Sequence, residues 1–363
     1  MKEDIHLKPC NKKSVYIGAA LIILLAGLTV YIISKEFGIT SVKDVLKSVN
    51  LWFLIPAVIC MLMFSVGEAL NIRLGLRLSG YKTGFFSALK YAYTGFFFSM
   101  VTPSASGGQP AQIYMMHRDK IKVSHASFSL LLELIGYEVA SISIAFVGVI
   151  VSLVSPLKLF EGLSIGWVLI LGFLVNFALL TGLLLIMYSK RAVKVIAGIA
   201  IKLGSFFSKK KDTKVKLLRT FAEYRISAKR LKGNHGVLVR VILISLVQFA
   251  AYHSITYFCY RSFGLSERSF IEVMSLQGLL FTAVSCIPLP GSAGAMEGGF
   301  SLLFKKIFSE GILGSAIILC RLISFALPLV LSGLFLLIYG RIAKTKRGIG
   351  VNNIVSDNAE RAA

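Results

Sequence analysis

Long apolar segments alternate with short polar connections along the whole chain. Each segment is near or above the ~20 residues that a helix needs to cross a bilayer. The first follows a short basic stretch, but its apolar run is too long for a signal peptide, so we expect it to be retained. The pattern predicts an all-α polytopic membrane protein, with one transmembrane domain over residues 1–363. About six spanning helices are predicted, at residues 15–33, 52–70, 126–154, 165–188, 237–260 and 311–340.

Two segments interrupt this pattern with proline, glycine and small polar residues. They are Thr102–Pro110 (TPSASGGQP) and Pro288–Gly299 (PLPGSAGAMEGG). Aligned on Pro103 and Pro290, they read PSASGGQP and PGSAGAME, one in each half of the chain. In lipid an irregular backbone persists only where it is buried in protein or lines a wet cavity. A matched pair of breaks is typical of a transport site built from discontinuous helices.

The composition agrees with a membrane protein, since 56% of the residues are hydrophobic and only 16% are charged. The mean hydropathy is +0.76, which is more apolar surface than a soluble chain of this length could bury. A net charge of +23 would suggest a nucleic-acid partner in a soluble protein. Here lysine and arginine concentrate in the connections, where they anchor loops to the cytoplasmic face. We therefore expect membrane phospholipids as partners and no specific nucleic-acid binding.

The longest polar connection, residues 189–236, carries 14 Lys/Arg against two acids and is expected to be cytoplasmic. Aliphatic residues recur at helical spacing between Val193 and Leu203, which predicts an amphipathic helix on the inner leaflet. The N-terminus and a disordered tail over residues 342–363 are expected on the same side.

These charges constrain the path of the two breaks. If either break crossed the membrane once, the basic connection or the basic tail would fall outside. The connection and the tail both stay in the cytoplasm if each break enters and leaves the membrane on one side. The first break would then enter from the cytoplasm and the second from the outside. Opposed re-entrant hairpins are the arrangement that an inverted repeat produces. Two full crossings per break satisfy the same parity, so that alternative stays open.

The breaks also predict a binding site. A helix can restart after Gly107-Gly108 and again after Gly294, and helix N-termini attract anions through free N–H groups. Small residues beside these restarts would let a head group approach the backbone, and a phospholipid phosphate fits such a site. The alternative is tight helix packing without a ligand. The small residues concerned are Ser104, Ser106, Gly291 and Ser292.

Two charges inside apolar segments are expensive and therefore candidate site residues. Glu297 lies three positions after Gly294, where a carboxylate can cap the helix start, or bind a cationic head group or a proton. Arg321 lies within the last predicted span and can pair with Glu297 or with a lipid phosphate.

The remaining charges carry weaker expectations. Arg118 is either a head-group contact or an interfacial anchor, and Glu133 and Glu138 are expected to face the protein interior. Glu68, like Arg73 and Arg77, falls near a predicted span end, where snorkelling accounts for it. The lone histidines 117, 125 and 253 are assigned no chemistry.

No metal site, cofactor or catalytic residue is predicted. The five cysteines, at positions 10, 60, 259, 286 and 320, form no CxxC pair, and no HExxH or Cys/His cluster occurs. No P-loop sequence is present, so transport would be passive or ion-coupled.

The TPSASGGQP segment followed by Arg118, and the PLPGSAGAMEGGF segment, resemble the signature regions of the lysylphosphatidylglycerol synthase transmembrane-region family. The resemblance covers roughly residues 12–342. It implies a flippase-like protein of the bacterial cell membrane that moves an aminoacylated or other anionic-backbone phospholipid between leaflets, with a role in resistance to cationic antimicrobial peptides. It also implies that Pro103, Gly107, Gly108, Pro290, Gly291, Gly294 and Glu297 belong to the site, with Arg118 and Arg321 beside them.

Longer members of that family continue into a soluble aminoacyltransferase domain, and we expect no such domain after the last predicted span. Lipid translocation is the leading hypothesis, because it gives the two breaks a function. Phosphatidylglycerol lysyltransferase activity, or support of a separate aminoacyl-phospholipid synthase as partner, is the alternative. A non-transporting scaffold and an oligomeric assembly also stay open.

Overall fold

The computed structural model describes residues 42–102, 105–154, 165–191, 193–195, 198, 223–285, 287, 292 and 294–339. These residues form helices and the connections between them. A 3-10 turn precedes α2, and a π-helical turn, Leu322–Ala326, follows α10. The helices are α1 (Val42–Lys47), α2 (Leu54–Leu78), α3 (Phe85–Val101), α4 (Gly108–Arg118), α5 (Val123–Val154), α6 (Ile165–Tyr188), α7 (His235–Ser262), α8 (Phe270–Val284), α9 (Ala295–Phe304) and α10 (Glu310–Arg321).

Five helices within the described residues are long and apolar enough to cross a membrane. They confirm five of the six predicted spans, while the sixth, residues 15–33, lies outside the described residues, as does the tail over 342–363. The polytopic all-helical fold class is confirmed. The five are Leu51–Leu78, Val123–Val154, Trp167–Tyr188, His235–Ser262 and Gly311–Tyr339.

The antiparallel pair of α2 and α7 fixes the two ends of the molecule. The backbone N–H of Asn50 donates to the carbonyl of Ser262 at 2.8 Å, and Asn71 Nδ2 donates to Ser245 Oγ at 2.9 Å. The chain therefore leaves α2 at one end and α7 at the other. We call these the basic end, which holds residues 78–84, 118–125 and 223–232, and the opposite end.

Each break is a pair of short helices that returns to the end from which it started. The first pair, α3 and α4, begins and ends at the basic end, where the Lys122 N–H donates to the Tyr81 hydroxyl at 3.1 Å. The second pair, α8 and α9, returns to the opposite end, where the Phe308 ring lies 5.6 Å from that of Tyr260.

The limbs of these pairs are too short to cross a bilayer. They contain 17, 11, 15 and 10 residues. At 1.5 Å per residue they span about 15–26 Å, less than the ~30 Å hydrocarbon core. Opposed helix pairs with limbs of these lengths have the geometry that re-entrant hairpins require. The first repeat consists of α2, the α3–α4 pair and α5. The second consists of α7, the α8–α9 pair and the last spanning helix, and it runs in the opposite direction, which makes an inverted repeat.

Close packing at small residues joins the long helices to one another and to the second hairpin. A Cβ added at Gly75 would lie 2.7 Å from the Ser129 Cα, and one added at Gly172 would lie 2.7 Å from the Ala283 Cα. These contacts bring α2 against α5 and α6 against α8. The outward faces remain apolar, as at Trp167, which is 79% exposed, and this is the surface that lipid would cover.

A buried lysine joins the first hairpin to the last spanning helix. Lys90 is 3% exposed, pairs with Asp119, and donates to the Tyr339 hydroxyl at 3.1 Å. The Tyr91 hydroxyl also donates to Asp119, at 2.6 Å. This cluster closes the basic end between the two repeats.

The described part of the basic connection packs on the protein rather than standing apart from it. Its helix, residues 223–232, places Ser227 Oγ 3.4 Å from Ser79 Oγ and Glu223 Oε1 2.8 Å from Lys122 Nζ. Val193 is buried, whereas residues 196, 199 and 203 of the predicted amphipathic helix lie outside the described residues.

The re-entrant path predicts how cysteines label in sealed vesicles of known orientation. In a background without native cysteines, Lys82→Cys and Arg118→Cys should react with an impermeant maleimide from one side. Glu267→Cys and Lys305→Cys should react from the other, since all four positions are exposed at the two ends. Permeabilised vesicles, in which all four should react, are the control. Labelling of positions 82 and 118 from different sides would contradict the first hairpin.

Candidate functional site

The tips of both hairpins open into one cavity of about 410 Å³ between the two repeats. The first hairpin contributes Ala105, Ser106 and Gln109, and the second contributes Ser292 and Met296. Spanning helices supply the charged and polar groups of its wall. These include Glu68, Glu133, Tyr137, Tyr252, Arg321 and Ser324.

The two tips have matched backbone conformations, as their alignment predicts. Ala105 has φ of 52° and Ser292 has φ of 53°, and both follow the aligned prolines by two residues. Left-handed backbone is rare and costly in residues with a side chain. The helices restart at Gly108 and Ala295, which are also equivalent in the alignment. The repeat therefore extends to the local geometry of the breaks.

The first tip satisfies its backbone through Thr102. Its hydroxyl accepts from the Gly107 N–H at 2.8 Å and donates to the Phe98 carbonyl at 2.7 Å. Gly108 is needed for close approach, because a Cβ there would collide with the Ser99 hydroxyl and lie 3.0 Å from the Gly95 carbonyl. The limbs of the hairpin thus meet directly at the restart.

The second tip depends on Glu297, which fulfils both of its predicted structural roles. One carboxylate oxygen accepts from the Gly294 N–H at 2.7 Å, which caps α9, and the other accepts from Arg321 Nε at 2.6 Å. Gly294 has φ of +81°, a conformation that favours glycine. Glu297 borders a smaller cavity of about 30 Å³ behind the tip, while Arg321 borders both cavities.

Arg321 is held at the point where the last span changes its helical geometry. Its Nη2 donates to the Ser292 carbonyl at 3.4 Å, which ties the arginine to the strained tip. The π-helical turn begins at the next residue, and its Ser324 and Phe325 line the large cavity. Such turns recur at functional sites because the extra residue redirects side chains.

An acidic pair that sequence reasoning missed lines the same cavity. Glu68 is 7% exposed and Glu133 is 5% exposed, and their carboxyl groups lie within hydrogen-bonding reach of each other. The assignment of Glu68 to a snorkelling position was wrong, because α2 continues to Leu78 and places Glu68 well inside the helix. The expectation that Glu133 and Glu138 face the interior is confirmed.

The other predicted site residues separate into two groups. Gly107 and Gly108 lie at the first tip, whereas Arg118 is exposed at the basic end of α4 and is not part of the cavity lining. Pro103, Ser104, Pro290 and Gly291 lie outside the described residues. Within the described part of the chain, no group of three His, Cys, Asp or Glu side chains is arranged to hold a metal ion.

Comparison with known proteins agrees with this architecture. The profile of the lysylphosphatidylglycerol synthase transmembrane region matches residues 15–332. The chain belongs to this family. A UPF0104 membrane protein of Archaeoglobus fulgidus is 26% identical over 295 residues, which cover 78% of this chain and 85% of the relative. The family match spans both hairpins, so the family predicted from the two breaks is confirmed.

The Glu297–Arg321 pair of this family member should be strongly coupled. Glu297→Gln removes the carboxylate that pairs with the partly buried Arg321, which should lower the free energy of unfolding by about 3 kcal/mol. Adding Arg321→Gln should recover part of the loss, as measured by thermal unfolding in detergent in a double-mutant cycle. The more exposed Lys122–Glu223 pair, treated in the same way, should couple by at most ~1 kcal/mol. Equal coupling in both cycles would contradict a special role for the buried pair.

The glycine contact at the first tip gives a second prediction. Gly108→Ala should destabilise the protein by about 1–3 kcal/mol, because the added methyl overpacks the hairpin. Gly298→Ala in α9 is the matched control, since no atom lies within 4 Å of a Cβ at that position. Similar unfolding temperatures for the two variants would show that the limbs do not need this close approach.

Proposed function

We propose that the protein moves a phospholipid head group between membrane leaflets through the central cavity. The observation that carries the proposal is that two hairpins from opposite ends bring their tips, together with Arg321, to one cavity. This arrangement gives a head group a polar site between two gates while the acyl chains stay in the bilayer.

The chemistry of the cavity favours a phospholipid over a neutral solute. Arg321, which Glu297 holds in place, brings a guanidinium group beside the second tip, and Ser106 and Ser292 bring small hydroxyl-bearing residues to the lining. The starts of α4 and α9 supply helix N-termini at the two tips. A phosphate suits this set of groups.

The preferred substrate is lysyl-phosphatidylglycerol or a related anionic-backbone lipid, in keeping with the family. A cationic lysyl group would complement the Glu68–Glu133 side of the cavity, as the phosphate complements Arg321. Outward movement of such a lipid would place positive charge on the cell surface and weaken the binding of cationic antimicrobial peptides.

The distribution of charge supports an orientation with the basic end in the cytoplasm. Lys82, Arg118, Lys122 and the helix over residues 223–232 lie at that end. By the positive-inside rule it faces the cytoplasm of a bacterial cell, with both termini on that side.

A transfer assay tests the proposal. Lysyl-phosphatidylglycerol confined to one leaflet of proteoliposomes should become accessible to an impermeant amine reagent in the other, faster than in protein-free vesicles. Ser106→Phe should slow this transfer at least about tenfold, since a loss of ~1.4 kcal/mol in binding corresponds to that factor. The large ring would occupy the cavity beside the first tip.

Ser143→Phe is the matched control, because Ser143 is exposed on α5 and is absent from the cavity lining. It should transfer lipid at the rate of the unmodified protein. Equal rates in both variants would show that the head group does not pass the first tip. Absence of transfer by the unmodified protein, with and without a proton gradient, would favour a membrane subunit for a separate synthase.

A further inference from the structure

The hydrogen bonds around Glu68 assign it the charged form. Its Oε1 accepts from Gln112 Nε2 at 3.5 Å and its Oε2 accepts from Gln248 Nε2 at 3.3 Å. The Gln248 oxygen accepts in turn from Asn71 Nδ2 at 3.4 Å, which agrees with that orientation of the Gln248 amide. Both oxygens of Glu68 therefore face N–H donors, the partners that a carboxylate requires.

Glu133 has a different environment. Among the described residues its only polar side-chain partner is Glu68, although it is 95% buried and borders the cavity. Two ionised carboxylates have only acceptors and repel each other, so a hydrogen bond between them needs a proton. Because Glu68 accepts from both amides, that proton resides on Glu133.

The position of Glu133 matches that of the cavity's arginine. Glu133 follows Pro103 by 30 residues and Arg321 follows Pro290 by 31, on equivalent helices of the two repeats. Tyr137 on α5 interacts with both carboxyl groups, and Tyr252 on α7 and Arg321 are the other titratable groups that line the same cavity. The cavity therefore has an acidic side and a basic side.

We infer that Glu68 and Glu133 form a site for one exchangeable cation, which is a proton in the empty cavity and the primary ammonium of a head group in the loaded one. The inference rests on the proposed function and specifies its coupling. Loss of the proton leaves two adjacent negative charges, which an ammonium compensates through both charge and N–H donors. Binding of a lipid that carries a primary ammonium thus releases a proton, and reprotonation favours release of the lipid.

Proton release on binding tests the inference directly. The purified protein in weakly buffered detergent solution at neutral pH is mixed with short-chain lysyl-phosphatidylglycerol or with short-chain phosphatidylglycerol. The first lipid should release about one proton for each molecule bound, and the second should release none, because only an ammonium replaces the proton. Binding of the lysyl lipid without proton release would overturn the inference and leave the proposed function standing.

Two variants locate the proton. Glu133→Gln retains the shape of the side chain but has no titratable proton, so release should be abolished. Glu138→Gln removes a buried carboxyl group from the same helix, outside the cavity lining, and should release as the unmodified protein does. Release that persists in Glu133→Gln would assign the proton elsewhere and refute the site.

Infrared spectroscopy of the ligand-free protein separates this inference from the proposed function. The C=O band of a protonated carboxyl group should be present at neutral pH, decrease in Glu133→Gln and lose intensity on binding of the lysyl lipid. If the protein bound neither lipid, the proposed function would fail, while a difference band between the unmodified protein and Glu133→Gln would still support the proton on the pair. No difference band would refute it.

Discussion

The need to satisfy every backbone N–H at membrane depth governs this structure. A helix that stops halfway across a bilayer exposes amides that water cannot reach, and each costs several kcal/mol if left unpaired. Thr102 provides a hydroxyl partner at the first tip, and Glu297 provides a carboxylate at the second. The irregular backbone of the two tips is therefore stable at the centre of the protein. Because the tips line the cavity, the cavity depends on these hydrogen bonds.

The second of these solutions also determines the electrostatics of the cavity. A carboxylate strong enough to cap α9 is itself a buried charge, and Arg321 compensates it. The arginine is then held against the tip by the Ser292 carbonyl and borders the cavity. Capping, ion pairing and the positive side of the cavity thus depend on one another through Glu297.

Sequence reasoning succeeded where the signal was local. The positions of the breaks, the helix restarts at Gly108 and Ala295, and the cap by Glu297 follow from residue types within a few positions of one another. The requirement that the basic connection and the basic tail lie on the same side predicted that each break enters and leaves on one side. The short limbs then favour re-entry over two full crossings. These properties need no knowledge of which helices are neighbours.

The acidic side of the cavity could not be found in the same way. The predicted span ended at residue 70, so Glu68 was placed near the membrane surface, whereas polar residues such as Asn71 extend α2 to Leu78 through contacts with α7. The pairing of Glu68 with Glu133 depends on the packing of α2 against α5, which hydropathy does not encode. Arg118 was predicted near the site because it follows the first break closely in sequence. The structure places it at the basic end, away from the cavity lining.

The inverted repeat has a consequence for how such a protein can be assembled. Glu133 and Arg321 occupy nearly equivalent positions in the two halves, but one side chain is acidic and the other is basic. An antiparallel homodimer of either half would place two glutamates or two arginines around its symmetry axis. A single chain removes that restriction, because each half can diverge separately. Covalent fusion of the halves is therefore what permits a cavity lined by an acidic residue from one half and a basic residue from the other.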